Sequence, residues 1–157
     1  KLTTCRSLAE ESAAEILETL GLPAGDPARE RPLPGRLAAD GTGSRAAAAV
    51  AAGAAGIPAE ALEDAVDRTL QLFGSRAVEV FEAAAVSSVL RKLPPLLGDS
   101  GLPTAAAAFA VEQEWAETLS DLVERRLMLL FSPRLSVATL TALAELLVAT
   151  GRLEATA

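Results

Sequence analysis

The sequence predicts an all-α protein, an irregular bundle of about six or seven helices in which residues 1–157 form a single helical domain. Ala and Leu are the most frequent residues, and both favour helices. Aromatic residues make up 3% of the chain, and no segment sustains the alternation of apolar and polar residues that is typical of a half-buried strand. Capping residues, glycines and prolines instead divide the chain into segments of helical length, which pack around a shared core.

The first predicted helix has Ser7 as its N-cap and Glu10 three residues later, the pair that forms a capping box. Gly21 ends this helix. Its apolar residues recur at the spacing of one helical face: Ala9, Ala13, Ile16, Leu17 and Leu20. Residues 21–57 are rich in Pro, Gly and Ala and predict an irregular connection. Within it, the Ala-rich run 46–55 is either a short helix or a loop.

Three helices are predicted in the middle of the chain. One begins at Pro58 and ends at Gly74, and Ser75 caps the next. A third begins at Thr104 and runs toward Trp115. The residues expected to face the core are Leu62, Ala65, Val66, Leu70 and Phe73 in the first of these helices, and Val78 and Phe81 in the second.

Two more helices complete the predicted bundle. Thr118, with Asp121 three residues later, is a second N-cap signal, so a break is expected near 116–118. The last helix spans about 133–150, and Gly151 ends it. The expected inward residues are Leu119, Leu122, Val123, Leu127 and Leu130 in the first helix, and Val137, Leu140, Ala144 and Leu147 in the last.

Charge and composition exclude several classes of function. The formal net charge of −7 argues against nucleic acid as a partner, because phosphates would be repelled. The chain has no His, which removes Ser-His and Cys-His catalysis and the usual zinc sites, and we expect no metal site. The single Cys5 cannot form an internal disulfide. The chain contains no run of about 18 strongly apolar residues, so the sequence predicts no transmembrane segment.

Two candidate sites have a structural explanation that we favour. The stretch "GTGSRA", with Gly41, Gly43 and Ala46, matches a loose dinucleotide fingerprint, but the residues before it do not read as the strand that this motif requires. Cys5 stands beside Arg6 near a helix start, which would lower the pKa of its thiol. Nothing in the sequence supplies the base and orienting group of a catalytic cysteine, so an inert thiol is the favoured interpretation.

A charged cluster is predicted at the junction before the last two helices. Asp121 and Arg125 are four residues apart on a helix and can form an ion pair. Arg126 falls near the apolar stripe, where an unpaired charge would be costly, and Glu114 could reach it. We interpret these four residues as an ion-paired structural cluster, the alternative being a functional site.

The opening residues form a candidate anion site. Lys1 supplies a cation, and Thr3, Thr4 and Ser7 supply hydroxyls. The helix predicted to begin nearby points its free N–H groups and the positive end of its dipole toward them. Such an arrangement suits an anion or an electron-rich carbonyl, although most capped helix starts bind nothing.

Four segments in the same order resemble those of FAD-dependent glycerol-3-phosphate dehydrogenases. "KLTTCRSLAEE" at 1–11 resembles the family's G-G-K-L-T-T-Y-R-x-x-A-E-x, and "RPLPG" at 31–35 its PLPG. "LFGSRAVEVFEAA" at 72–84 is similar to YGSRA-x-x-V-L. "AVEQEWAETLSDLVERR" at 110–126 is similar to V-x-x-E-x-A-x-T-L-x-D-x-L-x-R-R.

The resemblance implies that the chain is the C-terminal helical domain of a larger flavoenzyme whose FAD-binding domain lies upstream. The implied reaction oxidises sn-glycerol 3-phosphate to dihydroxyacetone phosphate, with hydride passing to FAD and electrons to quinone or oxygen. The implied enzyme of glycerol metabolism is cytoplasmic, or peripheral on the inner face of the membrane. The fragment alone is expected to bind no FAD and to be inactive.

The resemblance also assigns roles to the opening residues. It makes Lys1 the active-site lysine, with its ammonium on substrate or flavin oxygens in the full-length enzyme. It places Leu2 and Thr3 against the flavin as cofactor-binding residues. The chain departs from the family's pattern at Cys5, where an aromatic is usual, and at Leu127, where Thr often stands.

An alternative function is an acidic helical protein-interaction module without catalysis, which docks a partner through an exposed apolar face. Both interpretations expect an exposed apolar patch, because the flavoenzyme interpretation leaves uncovered the surface where the FAD-binding domain packs. They differ in location, since the flavoenzyme interpretation places the patch beside residues 1–10.

Overall fold

The structure is a computed structural model that describes residues 4–23, 33–37 and 42–154. The predicted all-α class is confirmed. In the described ranges there is no strand, and short 3₁₀ turns and a π-helical turn at Asp121–Arg126 connect the helices. The α-helices are α1 (Cys5–Thr19), α2 (Thr42–Ala54), α3 (Leu62–Phe73), α4 (Ala77–Val86), α5 (Thr104–Gln113) and α6 (Val137–Ala149). None of the described helices is both long and apolar enough to cross a membrane.

The chain divides into two compact units, Lys1–Pro34 and Gly35–Ala157, and the first contains α1. The predicted N-cap of α1 was wrong. The helix begins at Cys5 because Thr4 already has a helical backbone, with φ −107° and ψ −1°, so Ser7 lies inside the first turn.

The end of α1 is the one that the sequence predicted. Gly21 adopts φ +67°, and its N–H donates to the Glu18 carbonyl at 3.0 Å. The N–H of Leu22 donates to the Leu17 carbonyl at 2.9 Å, so the last turn closes as a Schellman motif.

The apolar face predicted for α1 is largely exposed, with Leu17 half-buried. The helix has no buried residue, and its large apolar side chains are 64% exposed at Leu8, 59% at Ile16 and 64% at Leu20. A face of this kind is typical of a surface that another protein segment covers.

In the second unit, α2 occupies Thr42–Ala54, inside the predicted irregular connection, so the Ala-rich run is a helix rather than a loop. It packs against α3 and α4. Small side chains allow this close packing, and those buried in α2 and α4 are Ala48, Ala51, Ala52, Ala77 and Ala84.

The pair α3 and α4 largely follows the predicted pattern. A 3₁₀ turn at Ala59–Ala61 precedes α3, so the helix begins later than Pro58. Its buried residues are Ala65, Val66, Thr69 and Phe73. The prediction that Ser75 caps α4 was wrong. Gly74–Arg76 forms a 3₁₀ turn that continues into the helix, so Ser75 lies inside this turn.

The centre of the second unit is α5. Its residues from Thr104 to Val111 are all buried, a pattern that indicates a helix enclosed by others rather than one with a single inward face. It packs against α4 and α6 and ends at Gln113, so the predicted break before Thr118 is confirmed.

The inward face of α6 follows the predicted one only in part: Leu147 is buried as predicted, but Val137 is not. Val137 is 79% exposed, whereas the buried residues are Thr139, Leu143, Leu146 and Leu147. The helix begins after Ser136, whose side chain accepts a hydrogen bond from the Thr139 N–H at 3.2 Å. Thr139 can be buried because its hydroxyl donates to backbone carbonyls, a possibility that a pattern of apolar residues alone does not include.

Candidate functional site

The residues predicted to touch the flavin and the substrate, Lys1, Leu2 and Thr3, lie outside the described residues. The described part of this region begins with Thr4 and the first turn of α1, where Cys5 is an exposed free thiol. The roles of the three leading residues stay predictions.

Two of the segments that carry the resemblance meet at a backbone contact. Gly35, the last residue of "RPLPG", accepts a hydrogen bond from the Ser75 N–H at 3.1 Å. Gly35 and Gly74 both have positive φ, +85° and +57°. A Cβ on Gly74 would lie 2.7 Å from the Gly35 carbonyl carbon and closer still to its oxygen, so both conformation and space require glycine there.

The same turn brings in a third segment through Arg76. Its Nη1 lies 3.5 Å from Glu114 Oε1, and its Nε donates to Glu79 Oε2 at 3.2 Å. The guanidinium carbon lies 4.8 Å from the centre of the Phe109 ring, within cation–π range. Phe109 in turn meets Phe73 edge to face, with ring centres 5.5 Å apart.

This cluster therefore links α3, α4 and α5 at one corner of the bundle. Arg76 is engaged by two carboxylates and a ring, which suits a cation that holds elements together. Both carboxylates among these partners are paired with Arg76, so we interpret the arrangement as structural rather than reactive.

The capping signal at Thr118 is confirmed. The Asp121 N–H donates to Thr118 Oγ1 at 3.1 Å, and Asp121 Oδ2 accepts from the Thr118 N–H at 3.1 Å. The hydrogen bond from the Thr118 hydroxyl is the main cause that lowers the pKa of Asp121 to about 2. Hydrogen bonds from backbone N–H groups and from Arg125 lower it further, whereas desolvation raises it. The predicted pair of Asp121 and Arg125 also forms, at 2.6 Å.

The predicted contact between Glu114 and Arg126 was wrong. Glu114 pairs with Arg76 instead, and Arg126 is exposed. The physical reason is the π-helical turn, in which the Leu127 N–H donates to the Leu122 carbonyl five residues back, at 2.9 Å. The wider turn rotates Arg126 away from the apolar stripe, so its charge stays in water.

The "GTGSRA" stretch enters a helix without a described strand before it. Gly41 lies outside the described residues, and Gly43 and Ala46 lie in α2. A group of three or more potential metal-ligating side chains is not found in the described part of the chain. A cavity of about 320 Å³ beside α4 is lined mainly by Ala, Leu and Pro, with Arg91 at its wall. Thr104, which also lines it, donates its hydroxyl to the Pro94 carbonyl at 2.6 Å.

Sequence reasoning missed a second ion-pair cluster because its members are far apart in the chain. Asp64 accepts from Arg68 Nε at 3.0 Å and from Arg134 Nη1 at 2.8 Å, which joins α3 to the turn before α6. Desolvation opposes ionisation of Asp64, but the two arginines outweigh it and hold the pKa of the carboxyl below its usual range. Only the pair of Asp64 and Arg68 could be expected from the sequence, because these residues are four apart on one helix.

Comparison with protein families identifies the domain. The model of the C-terminal domain of alpha-glycerophosphate oxidase matches residues 28–154 of the chain. The chain belongs to this family. The match includes the segments at 31–35, 72–84 and 110–126, so the resemblance seen in the sequence is confirmed. A search of curated proteins and a search of solved structures each returned no significant match.

Membership in the alpha-glycerophosphate oxidase C-terminal family relates the chain to FAD-dependent oxidoreductases of the glycerophosphate oxidase and dehydrogenase type. The helical domain described above is thus a C-terminal domain of a glycerol-phosphate oxidase-like flavoenzyme.

Proposed function

We propose that the chain is part of a flavoenzyme that oxidises sn-glycerol 3-phosphate to dihydroxyacetone phosphate, with FAD as the hydride acceptor. The family match over residues 28–154 is the observation that carries this proposal. The electrons pass on to a quinone or to oxygen, and the enzyme works in the cytoplasm or on the inner face of the membrane.

The proposal assigns most of FAD binding to a separate domain. The described residues contain no strand, and hence no strand, glycine-rich turn and helix of the kind that cradles a dinucleotide. The exposed apolar face of α1, which includes Leu8, supports a neighbouring domain at this end of the chain, beside residues 1–10. We propose that the FAD-binding domain covers this face.

The contribution of this chain to the chemistry is charge stabilisation at the cofactor edge. We propose that the Lys1 ammonium binds oxygens of the substrate or the flavin, and that Leu2 and Thr3 pack against the flavin. The N-terminus of α1 follows directly, and the positive end of its dipole favours negative charge nearby. FAD supplies the hydride chemistry, and these residues would stabilise the charge that develops on it.

The test compares the full-length gene product with the 157-residue chain. We expect the full-length protein to carry flavin that sn-glycerol 3-phosphate bleaches anaerobically, and the 157-residue chain to be colourless and inactive. Stoichiometric FAD on the 157-residue chain, or flavin in the full-length protein that the substrate leaves oxidised, would contradict the proposal. Reoxidation by oxygen or by a quinone analogue then identifies the acceptor.

A variant pair tests the role of the leading lysine in the full-length protein. We expect Lys1→Met to retain flavin but to slow its reduction by about a hundredfold or more, since a charge-stabilising donor is lost. The matched control is Arg126→Met, which removes an exposed cation that has no proposed role in the chemistry and should leave the rate unchanged. Equal rates for the two variants would remove Lys1 from the proposed site.

A further inference from the structure

The cavity of about 320 Å³ lies where the ends of α2 and α4 meet the segment that leads into α5. Its volume is at the lower end of the range for small-molecule sites, about 300–1,000 Å³. Two of its apolar lining residues, Ile57 and Ala84, also belong to the hydrophobic core, where they are 7% and 8% exposed. Leu90 and Leu93, both half-buried, extend the apolar wall. The cavity is therefore formed by packed elements, which favours a site that exists before a ligand binds.

One charged side chain, Arg91, lines this cavity. Its backbone N–H donates to the Ser87 carbonyl at 3.3 Å, which holds the residue just beyond α4. Its guanidinium forms no hydrogen bond, ion pair or ring contact with any residue in the described ranges. Its five N–H donors are thus available to a ligand. Most arginines in those ranges instead contact a carboxylate: Arg45, Arg68, Arg76, Arg125, Arg134 and Arg152.

Helix capping does not account for the position of Arg91. Arginine near the end of a helix can donate to the last carbonyls, and both α2 and α4 end beside the cavity. The carbonyls of Ala52 and Gly53 in α2, and of Ala84 in α4, already accept hydrogen bonds from the backbone that follows, at 3.1 Å in each case. The guanidinium itself donates to neither helix, so its role is not that of a cap.

The charge around Arg91 is positive, although the chain as a whole is acidic. The formal net charge is −7, but the cavity lining contains no Asp or Glu. Along the chain, Asp99 is the one acidic residue between Glu82 and Glu112. It accepts from the Ser136 hydroxyl at 3.3 Å and does not contact Arg91. A ligand in the cavity therefore meets an unpaired cation beside an apolar wall, a combination that favours an anion with an apolar body.

We propose that this cavity binds a carboxylate that carries a short hydrocarbon chain. The guanidinium of Arg91 would hold the carboxylate through two parallel N–H···O bonds, the geometry to which arginine is suited. The hydrocarbon chain would lie against the apolar wall that includes Ala84 and Leu93. An acid of about eight carbons suits a cavity at the lower end of the usual size range. The proposal goes beyond the flavoenzyme assignment, since it uses neither the flavin nor the leading residues.

The test titrates octanoate into the 157-residue chain and follows the amide NMR spectrum. We expect saturable shift changes at residues that line the cavity, with a Kd of about 1 mM or tighter. Hexanoate should bind about tenfold more weakly, because two fewer CH₂ groups are buried. Octylammonium has the same hydrocarbon chain and the opposite charge, so Arg91 should repel it and these shift changes should be absent.

A variant pair tests the cation. Arg91→Met keeps an apolar stem and should weaken the Kd of octanoate about tenfold, because a charge-assisted hydrogen bond is lost. The matched control is Lys92→Met, which removes the neighbouring exposed cation, one that does not line the cavity, and should leave the Kd within about twofold. Both residues are exposed, so we expect both variants to fold as the wild type does, which circular dichroism checks.

A third variant tests the apolar wall. Ala85 lines the cavity and is half-buried, so Ala85→Leu should fill part of the space and abolish saturable binding with Arg91 intact. Equal Kd values for Arg91→Met and Lys92→Met, shift changes centred away from the cavity, or octylammonium that binds as tightly as octanoate would overturn the proposal. So would binding to phosphatidylglycerol vesicles without binding to free octanoate, because Arg91 would then contact a lipid surface instead.

Discussion

Replacing Gly74 by Ala tests the backbone contact on which the second unit is built. Ala at φ +57° and ψ −131°, a combination that residues with a Cβ rarely adopt, costs about 1–3 kcal/mol on its own. The new Cβ would also lie 2.7 Å from the Gly35 carbonyl carbon, so the two segments must move apart. The hydrogen bond from the Ser75 N–H to the Gly35 oxygen would then be lost, at about 1 kcal/mol. We expect the free energy of unfolding to fall by about 3 kcal/mol.

Gly56→Ala is the matched control. Gly56 has φ +84°, but a Cβ there would meet nothing within 4 Å, so the substitution carries the conformational cost alone, about 1 kcal/mol. Urea denaturation followed by circular dichroism measures both variants, and a thermal scan should show losses of about 9 °C and 3 °C for a chain of this length. If Gly74→Ala costs no more than Gly56→Ala, the close approach of the two segments is not part of the folded protein.

Three further variants, the first with a matched control, test the remaining contacts. Arg76→Met should cost about 1–2 kcal/mol in urea denaturation, because Arg76 loses its ring and carboxylate partners, whereas Arg126→Met should change stability by less than about 0.5 kcal/mol. Leu143→Ala removes a fully buried side chain and should cost about 3 kcal/mol by the same measurement; an unchanged midpoint would contradict the inward face of α6. Thr118→Val should raise the pKa of Asp121 from about 2 toward 3.8, as read by NMR titration. Because the folded pKa is the lower one, this carboxylate stabilises the wild type above about pH 4, and the contribution disappears as the pH falls through about 2.

Local signals in the sequence predicted most of the helices. The N-cap pair of Thr118 and Asp121 forms as expected, and Gly21 and Gly74 follow helix ends with positive φ. These features depend on residues within one helical turn, which a linear pattern records directly.

The faces and ends that the sequence misjudged depend on contacts between distant segments. The inward face of α6 is set by Thr139, whose hydroxyl lies 3.5 Å from the Leu97 carbonyl in another part of the chain. Arg76 and Glu114 are separated by 38 residues, so their pairing had no local signal. The position of Arg126 near the apolar stripe instead suggested it as the partner of Glu114. A helical period of 3.6 residues does not anticipate the π-helical turn, which places Arg126 on the surface.

The segments that resemble the flavoenzyme family divide into two kinds. Those at 31–35, 72–84 and 110–126 meet through the Gly35 and Gly74 contact and through Arg76, and all three lie inside the family match. Their contacts are backbone hydrogen bonds, ion pairs and ring packing. These contacts stabilise the helical bundle, which gives the residues of the three segments a structural role. The opening segment alone carries a residue with a proposed chemical role. Variants at Gly74 or Arg76 in the full-length enzyme should therefore lower stability, with little effect on the rate of flavin reduction in molecules that remain folded. Variants at Lys1 should slow flavin reduction, with little effect on stability.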